Sequence, residues 1–322
     1  MTKNFNLTIL TKPIPNGKKV FLSNVFYYIK IILRSIYYMK YRALFRFGGH
    51  HAVTRSLVSG LKQCNFKINY NPNSIEKLAK NVVVLSGTDT LSQMIFFKKN
   101  GMLDQLLVGP NVVTLPEDEN SILANRSIDK IIVPSEWIKE KYLRHPKLSR
   151  NKIYTWPAGV NIDFWIPAKK TKRNIVLIYI KNKSFNMSPL LSILHVLGLR
   201  FEVIFYGNYS ESYYRKLLNK SLFMIYIASS ESQGIALLES WSMDVPTFIF
   251  KDKFTIIKGI KFSKFSPAPY LTSATGQFWN SIGGLKRLIS SFTHQKYQPR
   301  SYVLQYMTDK ICASNFIKIL EV

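Results

Sequence analysis

Short runs of β-branched and aromatic residues alternate along this chain with longer stretches whose apolar residues recur every three or four positions. The short runs predict strands at 6–10, 66–70, 81–85, 105–109, 130–134, 152–156, 174–180, 201–206, 222–227 and 246–250. The longer stretches predict helices, among them 90–99, 135–142 and two closing tracts near 278–292 and 300–320. Strands that alternate with helices in this way indicate α/β layering around parallel sheets.

The alternation is interrupted once, in an irregular stretch at 157–172 that contains Pro157, Gly159 and Pro167. We therefore predict two doubly wound, Rossmann-like domains at 1–160 and 161–298, followed by a helical segment at 299–322. Two such domains would face each other across a cleft formed by the carboxyl ends of their strands, where open α/β folds bind ligands.

The composition supports a folded protein of about this organisation. The chain has 322 residues, of which 47% are hydrophobic and 14% aromatic, and this excludes a disordered chain. The two cysteines, Cys64 and Cys312, provide neither a disulfide framework nor a CxxC metal cluster, and they suit a reducing compartment.

The net charge of +27 is unevenly distributed along the chain. Twelve Lys or Arg residues precede the first carboxylate, Glu76, and five lysines against Asp252 alone lie within 251–264. Such an excess favours an anionic partner, which could be nucleic acid, a membrane surface or a phosphorylated substrate.

The segment 18–47 combines an apolar sector with basic residues and tyrosines on the opposite side. Two interpretations remain open: a helix that binds an anionic membrane, or a helix that packs its apolar side on the first sheet. The longest apolar window falls short of the ~18 residues of a spanning helix, and no secretory signal is recognisable. We expect a cytoplasmic protein, with the inner face of the membrane as an optional location.

The most specific motif lies at 229–250, where a buried strand leads into a helix opening near Gly234. Glu231 precedes this helix and Glu239 lies within it, with seven residues between them. The turn at 232–235 would direct backbone amides towards the cleft, as a phosphate site requires. The two carboxylates could accept hydrogen bonds from the hydroxyl groups of a sugar and of a ribose. The alternative is a helix cap at Glu231 and an exposed carboxylate at Glu239.

This pattern resembles the E-x7-E signature of retaining GT-B glycosyltransferases, chiefly family 4. Four further segments are similar to parts of that family and occur in the same order. They are the Gly-rich loop and first helix at 48–62, the last strand–helix unit of the first domain at 129–142, the interdomain linker at 156–167, and a C-terminal helix that crosses back to the first domain at 299–322.

The resemblance implies a role for individual residues. Glu231 would contact the donor sugar and Glu239 the ribose, while Lys181 and Lys183 would neutralise the diphosphate of the donor. The backbone around Gly48, Gly49, Gln233, Gly234 and Ile235 would approach the phosphates, since glycine lacks a Cβ. The alternative for the lysines is a solvated pair at a strand end, and for the two adjacent glycines a plain turn.

The sequence departs from the family at the catalytic centre of the first domain. Where the family often has a histidine, this chain reads SGTDT, and Asp89 is the nearest titratable residue. Asp89 either replaces that histidine or caps a helix that begins at Thr90. No D-x-D motif occurs, so we expect a reaction without a bound metal and without a cofactor.

The resemblance implies a glycosyltransferase that moves a sugar, with retention, from a nucleoside-diphosphate sugar to a glycan or a lipid-linked acceptor. Two other functions remain open. One is an inactive scaffold that binds a membrane or polyanion, and the other is a different nucleotide-sugar enzyme, such as an epimerase. An anionic membrane surface is a further candidate partner, whereas nucleic acid is not expected.

Overall fold

The computed structural model describes residues 6–15, 49–169 and 171–322. Gly48 and the basic segment 18–47 lie outside these ranges, so their predicted roles stay predictions. The described chain divides into two compact units. The first comprises 6–15, Gly49–Ala158 and Lys310–Val322, and the second comprises Gly159–Asp309.

The first unit contains a parallel six-stranded sheet in the order β2-β1-β3-β4-β5-β6. Its strands are β1 (Leu7–Leu10), β2 (Ile68–Tyr70), β3 (Asn81–Ser86), β4 (Gln105–Asn111), β5 (Lys130–Val133) and β6 (Ile153–Thr155). Its helices are α1 (Gly49–Gln63), α2 (Thr88–Lys99), α3 (Glu136–Tyr142) and the C-terminal helix, Asp309–Glu321, which is numbered α9 below.

The C-terminal helix is fixed to this first sheet by side chains that reach its backbone. Trp156 Nε1 donates to the carbonyl of Cys312 at 2.8 Å, and Lys130 Nζ donates to the carbonyl of Ile319 at 2.6 Å. Both side chains are buried, so their polar atoms need partners that water cannot supply. The segment Lys310–Val322 therefore belongs to the first unit although it ends the chain.

The second unit contains a parallel five-stranded sheet in the order β13-β10-β9-β7-β8, and a separate antiparallel hairpin. The sheet strands are β7 (Ile175–Ile180), β8 (Phe201–Phe205), β9 (Ser221–Ile227), β10 (Thr247–Phe250) and β13 (Gly276–Trp279). The hairpin strands are β11 (Thr255–Ile257) and β12 (Ile260–Phe262), and the helices are α4 (Ser188–Val196), α5 (Glu211–Lys220), α6 (Ile235–Ser242), α7 (Ile282–Ser290) and α8 (Pro299–Tyr306).

Both sheets have a point where the strand order reverses. In the second unit, β8 lies on one side of β7 and β9 on the other, so the chain leaves β7 and β9 in opposite directions. Ligands of open α/β sheets bind at the carboxyl ends of the two strands that flank such a point. Residues directly after Ile180 and Ile227 are therefore placed at the expected binding edge of this sheet.

All ten predicted strands are present, with ends shifted by at most two residues. The closing helices were predicted less well. The tract near 278–292 begins as strand β13, which pairs with β10, and the tract near 300–320 is two helices separated by Met307 and Thr308. The hairpin within 251–264 was not predicted.

Candidate functional site

The candidate site lies at the carboxyl ends of β7 and β9. The backbone amide of Lys181, the first residue after β7, donates to the carbonyl of Ile227 at 2.8 Å, which holds the two strand ends together. The chain after β9 then returns to this point at Glu231, four residues beyond Ile227. Two predicted site residues thus meet at the reversal point of the second sheet.

Lys181 and Glu231 form an ion pair, with 2.7 Å between Nζ and Oε1. The hydroxyl of Tyr226 donates to the same carboxylate oxygen at 2.6 Å, and the amide of Glu231 donates to the carbonyl of Ser266 at 2.9 Å. Glu231 is only 6% exposed, so Lys181 and Tyr226 replace water as hydrogen-bond donors to its buried carboxylate. The interpretation of Glu231 as a mere helix cap does not fit this arrangement, because its side chain points to Lys181 and Tyr226.

The charge state of Lys181 follows from this pair. Burial lowers the pKa of Lys181, but the carboxylate of Glu231 favours the ammonium more strongly, and the pKa lies above its ordinary value. Tyr206 adds to this by placing its ring 4.7 Å from Nζ. Lys181 is therefore a cation at every pH at which the protein would work.

Four tyrosines pack behind the ion pair. Tyr179 and Tyr226 stack with 4.9 Å between ring centroids, and the hydroxyl groups of Tyr179 and Tyr209 are hydrogen-bonded at 2.6 Å. Tyr214 packs against Tyr179 and donates to the carbonyl of Ala236 in the first turn of α6 at 2.8 Å. Hydroxyl groups on rigid rings thus fix both the carboxylate and the helix that follows it.

Helix α6 begins at Ile235, and Gly234 occupies its N-cap position in the left-handed conformation, with φ of +87°. A Cβ at this residue would lie 2.9 Å from Cδ1 of Leu237, so both the backbone conformation and the space favour glycine. The carbonyl of Gly234 accepts from the amides of Leu237 and Leu238. The first amides of a helix have no intrahelical acceptor, so this end of α6 can bind an anion.

Gln233 and Glu239 are both buried, at 4% and 7% exposure, beside and within this helix. The expectation of an exposed helix carboxylate at Glu239 is therefore wrong. Burial raises the pKa of Tyr209, and the negative charge of Glu239 raises it further, which places this carboxylate next to the tyrosine cluster. The second unit accordingly assembles Lys181, Glu231, Gln233, Gly234, Ile235 and Glu239 around one edge of its sheet.

Lys183 is exposed in the loop after β7, two residues beyond Lys181. Asp89 and Gly49 belong to the first unit. Gly49 is the first residue of α1, and a Cβ built on it would meet no atom within 4 Å. Steric demand therefore does not explain this glycine.

Asp89 lies exposed in the first turn of α2, at the carboxyl end of β3. The prediction that Asp89 caps a helix beginning at Thr90 is wrong. The helix begins at Thr88, and its N-cap is Gly87, which has a φ of +90° and provides no side-chain acceptor. Asp89 instead lies beside the reversal point of the first sheet, between β1 and β3.

The tyrosines around the ion pair were not predicted from the sequence. Tyr226 stands in an apolar run that was interpreted only as a strand, and Tyr206 and Tyr209 lie in the loop after β8. One signal was available, since a residue at the end of a strand beside the reversal point is expected near the ligand edge.

Within the described ranges, His, Cys, Asp and Glu side chains form no group of three or more that could hold a metal ion. In the same part of the chain, no helix combines the length and the hydropathy needed to cross a membrane.

No protein-family model matches the sequence, and no curated protein matches it either. Solved structures do match. The lipopolysaccharide outer core galactosyltransferase WaaB, in its apo form, superposes with a TM-score of 0.60 and 12% identity, covering 98% of this chain and 99% of its own. Anabaena HepE in complex with UDP and glucose has a TM-score of 0.57 and 12% identity over 98% of this chain and 99% of its own.

Sucrose-phosphate synthase from Thermosynechococcus elongatus has a TM-score of 0.55 and 10% identity, and the match covers 98% of each chain. All three are GT-B glycosyltransferases. This chain has the GT-B fold. At these identities the likeness is one of architecture, and it agrees with the two parallel sheets and their reversal points. The match to these structures confirms the predicted fold class, while the retaining mechanism and the assignment to family 4 stay predictions.

Proposed function

We propose that this protein is a retaining glycosyltransferase that uses a nucleoside-diphosphate sugar as donor and a glycan or lipid-linked molecule as acceptor. The observation that carries the proposal is the Lys181–Glu231 ion pair at the reversal point of the second sheet, directly before the N-terminus of α6. It places a cation, a buried carboxylate and the N-terminal end of α6 at one ligand edge. HepE has been solved with UDP-glucose, and WaaB is described as a galactosyltransferase, which supports this donor class.

Each side chain of the edge has a chemical role in this proposal. Lys181 and Lys183 neutralise the diphosphate together with the amides at Gln233, Gly234 and Ile235. Tyr226 and Lys181 hold Glu231 in one orientation, and its carboxylate accepts hydrogen bonds from hydroxyl groups of the donor sugar. Glu239, on the buried side of α6, accepts hydrogen bonds from the ribose hydroxyls. In the first unit, Gly48 and Gly49 contribute backbone amides to the phosphates, and Asp89 acts near the anomeric carbon.

The proposed reaction proceeds by front-face substitution. The bond between the anomeric carbon and the phosphate oxygen breaks, and its electron pair stays on the leaving phosphate. The acceptor oxygen forms its bond from the same face, and its proton passes to that phosphate. Charge grows on the diphosphate during this step, so a fixed ammonium at Lys181 stabilises the transition state more than the ground state.

Replacement of Glu239 tests the donor assignment. Glu239→Gln keeps the volume but removes the charge that binds the ribose, and we expect kcat/KM for transfer or donor hydrolysis to fall about a hundredfold. The control is Glu202→Gln, because Glu202 is an exposed carboxylate on β8 of the same unit. Equal activity of both variants would exclude the donor role of Glu239.

A donor panel separates this function from the alternatives. Melting temperatures would be measured with UDP-glucose, GDP-mannose and ADP-glucose, and we expect one of them to stabilise the protein. Stabilisation only by polyanions such as heparin would favour an inactive scaffold. Isomerised donor in place of a transferred sugar would favour an epimerase. The anomeric configuration of the product, read by proton NMR, tests retention, and unchanged turnover with EDTA is the result expected for a metal-free reaction.

A further inference from the structure

The hairpin β11–β12 projects from the same edge of the second sheet as the candidate site. It follows β10, whose carboxyl end is Phe250, and the chain after it returns to Ser266, whose carbonyl accepts from the amide of Glu231. Lys258 and Gly259 form its two-residue turn, with φ of 48° and 79°. Positive φ at both positions is the geometry of a tight hairpin whose strands keep their twist.

The two faces of the hairpin differ in burial. Thr255 and Phe262 face each other across the strands, and both are buried at 3%. The opposite face carries Ile256, which pairs with Lys261 and is 61% exposed. Phe254 lies on the same side and is 38% exposed, with Lys261 Nζ 4.2 Å from its ring centroid. Beside the turn this difference ends, because Ile260 pairs with Ile257 on the face of Thr255 and Phe262 and is 47% exposed.

Three large apolar side chains are therefore exposed within one hairpin, next to a dense group of cations. The cations are the exposed lysines Lys251, Lys253, Lys258, Lys261 and Lys264, with Asp252 as the single carboxylate of the stretch. Scattered exposed apolar residues need no explanation, but a group of them marks an interaction surface.

We propose that this hairpin is a membrane-binding element that docks on the surface of an anionic phospholipid bilayer. Ile256 and Ile260, which lie on opposite faces near the turn, would enter the boundary between headgroups and acyl chains at the tip of the hairpin. Phe254, directly before β11, and the lysines would lie at the level of the phosphates. A nucleic acid would pair with the lysines alone and would leave Ile256 and Ile260 in water. The combination of both kinds of side chain therefore favours a bilayer.

The position of the hairpin has a consequence for the acceptor. Because it leaves the sheet at the edge that holds Lys181 and Glu231, docking would bring that edge towards the membrane. This part of the inference rests on the proposed function, and it selects the lipid-linked acceptor over the soluble glycan. The membrane contact itself does not depend on activity.

Vesicle flotation of the full-length protein tests the contact. The vesicles would contain phosphatidylcholine alone or with added phosphatidylglycerol, and we expect partitioning only to the anionic ones. Replacing Ile256 and Ile260 with serine should lower the partition coefficient at least about tenfold. The matched control replaces Val196 and Leu304, which are 77% and 43% exposed elsewhere in the same unit, with serine, and its partition coefficient should stay unchanged.

The lysines are tested in the same assay. Neutralising a lysine at an anionic surface weakens binding about fivefold, so four glutamine substitutions should weaken it about a hundredfold or more. The variant carries Lys253→Gln, Lys258→Gln, Lys261→Gln and Lys264→Gln. The control carries Lys147→Gln, Lys216→Gln, Lys286→Gln and Lys310→Gln, which remove the same charge from exposed positions outside the hairpin.

A tryptophan probe reports the contact directly. The tryptophans of the second unit, Trp165, Trp241 and Trp279, are buried, so a tryptophan at position 256 would be the one most accessible to lipid in this unit. Brominated lipids should quench the fluorescence of Ile256→Trp but not that of Val196→Trp. Equal quenching of the two, or hairpin variants that float like wild type, would overturn the proposal.

Flotation and donor binding together distinguish a failure of the membrane contact from a failure of the proposed function. A protein that gains stability from one nucleotide sugar but shows no hairpin-dependent flotation contradicts the membrane contact alone. A protein that floats through the hairpin but responds to no donor contradicts the glycosyltransferase proposal and leaves the contact standing.

Discussion

The carboxylate of Glu231 is buried, and Tyr226 and Lys181 hold it at one oxygen. A buried charge without partners would cost several kcal/mol, and the hydrogen bonds from these two donors offset that cost at Glu231. The resemblance to GT-B glycosyltransferases predicted that Lys181 and Glu231 serve the same ligand. Tyr226 was not predicted, because its place near the end of the strand indicates the ligand edge but not the direction of its hydroxyl.

Tyr226→Phe removes the hydroxyl that donates to Glu231 at 2.6 Å. Hydrogen bonds to charged groups contribute about 1.5–3 kcal/mol, so the free energy of unfolding should fall by roughly that amount and donor affinity should fall with it. The control is Tyr297→Phe, since the buried Tyr297 only accepts a neutral hydrogen bond from Gln277, at 3.1 Å. Chemical denaturation would compare the two, and an equal loss in both variants would contradict the special role of Tyr226.

Alanine substitutions at Gly234 and at Gly49 should have opposite effects on the stability of the protein. Gly234→Ala places a Cβ at φ of +87° and 2.9 Å from Leu237, and it should destabilise the protein by about 1–3 kcal/mol. Gly49→Ala meets open space at a helical position, and it should be neutral or stabilise by up to about 1 kcal/mol. Melting curves of the two variants measure this difference. If Gly49→Ala also leaves donor affinity unchanged, the phosphate does not require the absence of a Cβ at this position.

At the scale of elements, the strands were predictable because the buried parallel strands are continuous apolar runs, such as Ile175–Ile180 and Ser221–Ile227. Strand β13 was not, because its four residues run into the apolar pattern of the next helix, and its pairing with β10 is a tertiary contact. A local signal marked the true start of that helix, since the Ser281 side chain accepts from the amide of Gly284.

The tyrosine cluster behind the site predicts a dependence on alkaline pH. Burial raises the pKa of Tyr179, Tyr214 and Tyr226 well above the ordinary value, so these residues stay protonated in the native protein when the unfolded chain ionises near pH 10. The unfolded state then binds fewer protons, and stability falls as pH rises. Each such tyrosine contributes a slope of about 1.4 kcal/mol per pH unit above pH 10.

This dependence can be measured by ultraviolet titration of tyrosinate. A group of tyrosines should fail to ionise with the others and should titrate only when the protein unfolds. A single transition near pH 10 for all tyrosines, without unfolding, would contradict the buried cluster.

At the scale of the whole molecule, the alternation of strands and helices predicted two doubly wound α/β domains, and the family resemblance implied the GT-B fold class, which the structural comparisons confirm. The ligands of the many cationic residues, which give the chain a net charge of +27, were harder to predict, because the order of charges along a sequence does not show which cations lie together in the fold. The structure resolves part of it. Lys181 belongs to the candidate donor edge, and the lysines of 251–264 surround an exposed apolar hairpin on the same edge.

The central claim is that the carboxyl edge of the second sheet binds a nucleoside diphosphate through Lys181. Titration calorimetry of UDP, GDP and ADP would test it on wild type, on Lys181→Gln and on the exposed control Lys216→Gln. Glutamine at 181 can still donate to Glu231, so the fold should persist while the charge is lost. We predict that one nucleotide binds wild type and the control equally and binds Lys181→Gln at least about tenfold more weakly. Binding of none of the three, or equal binding by Lys181→Gln, would contradict the claim.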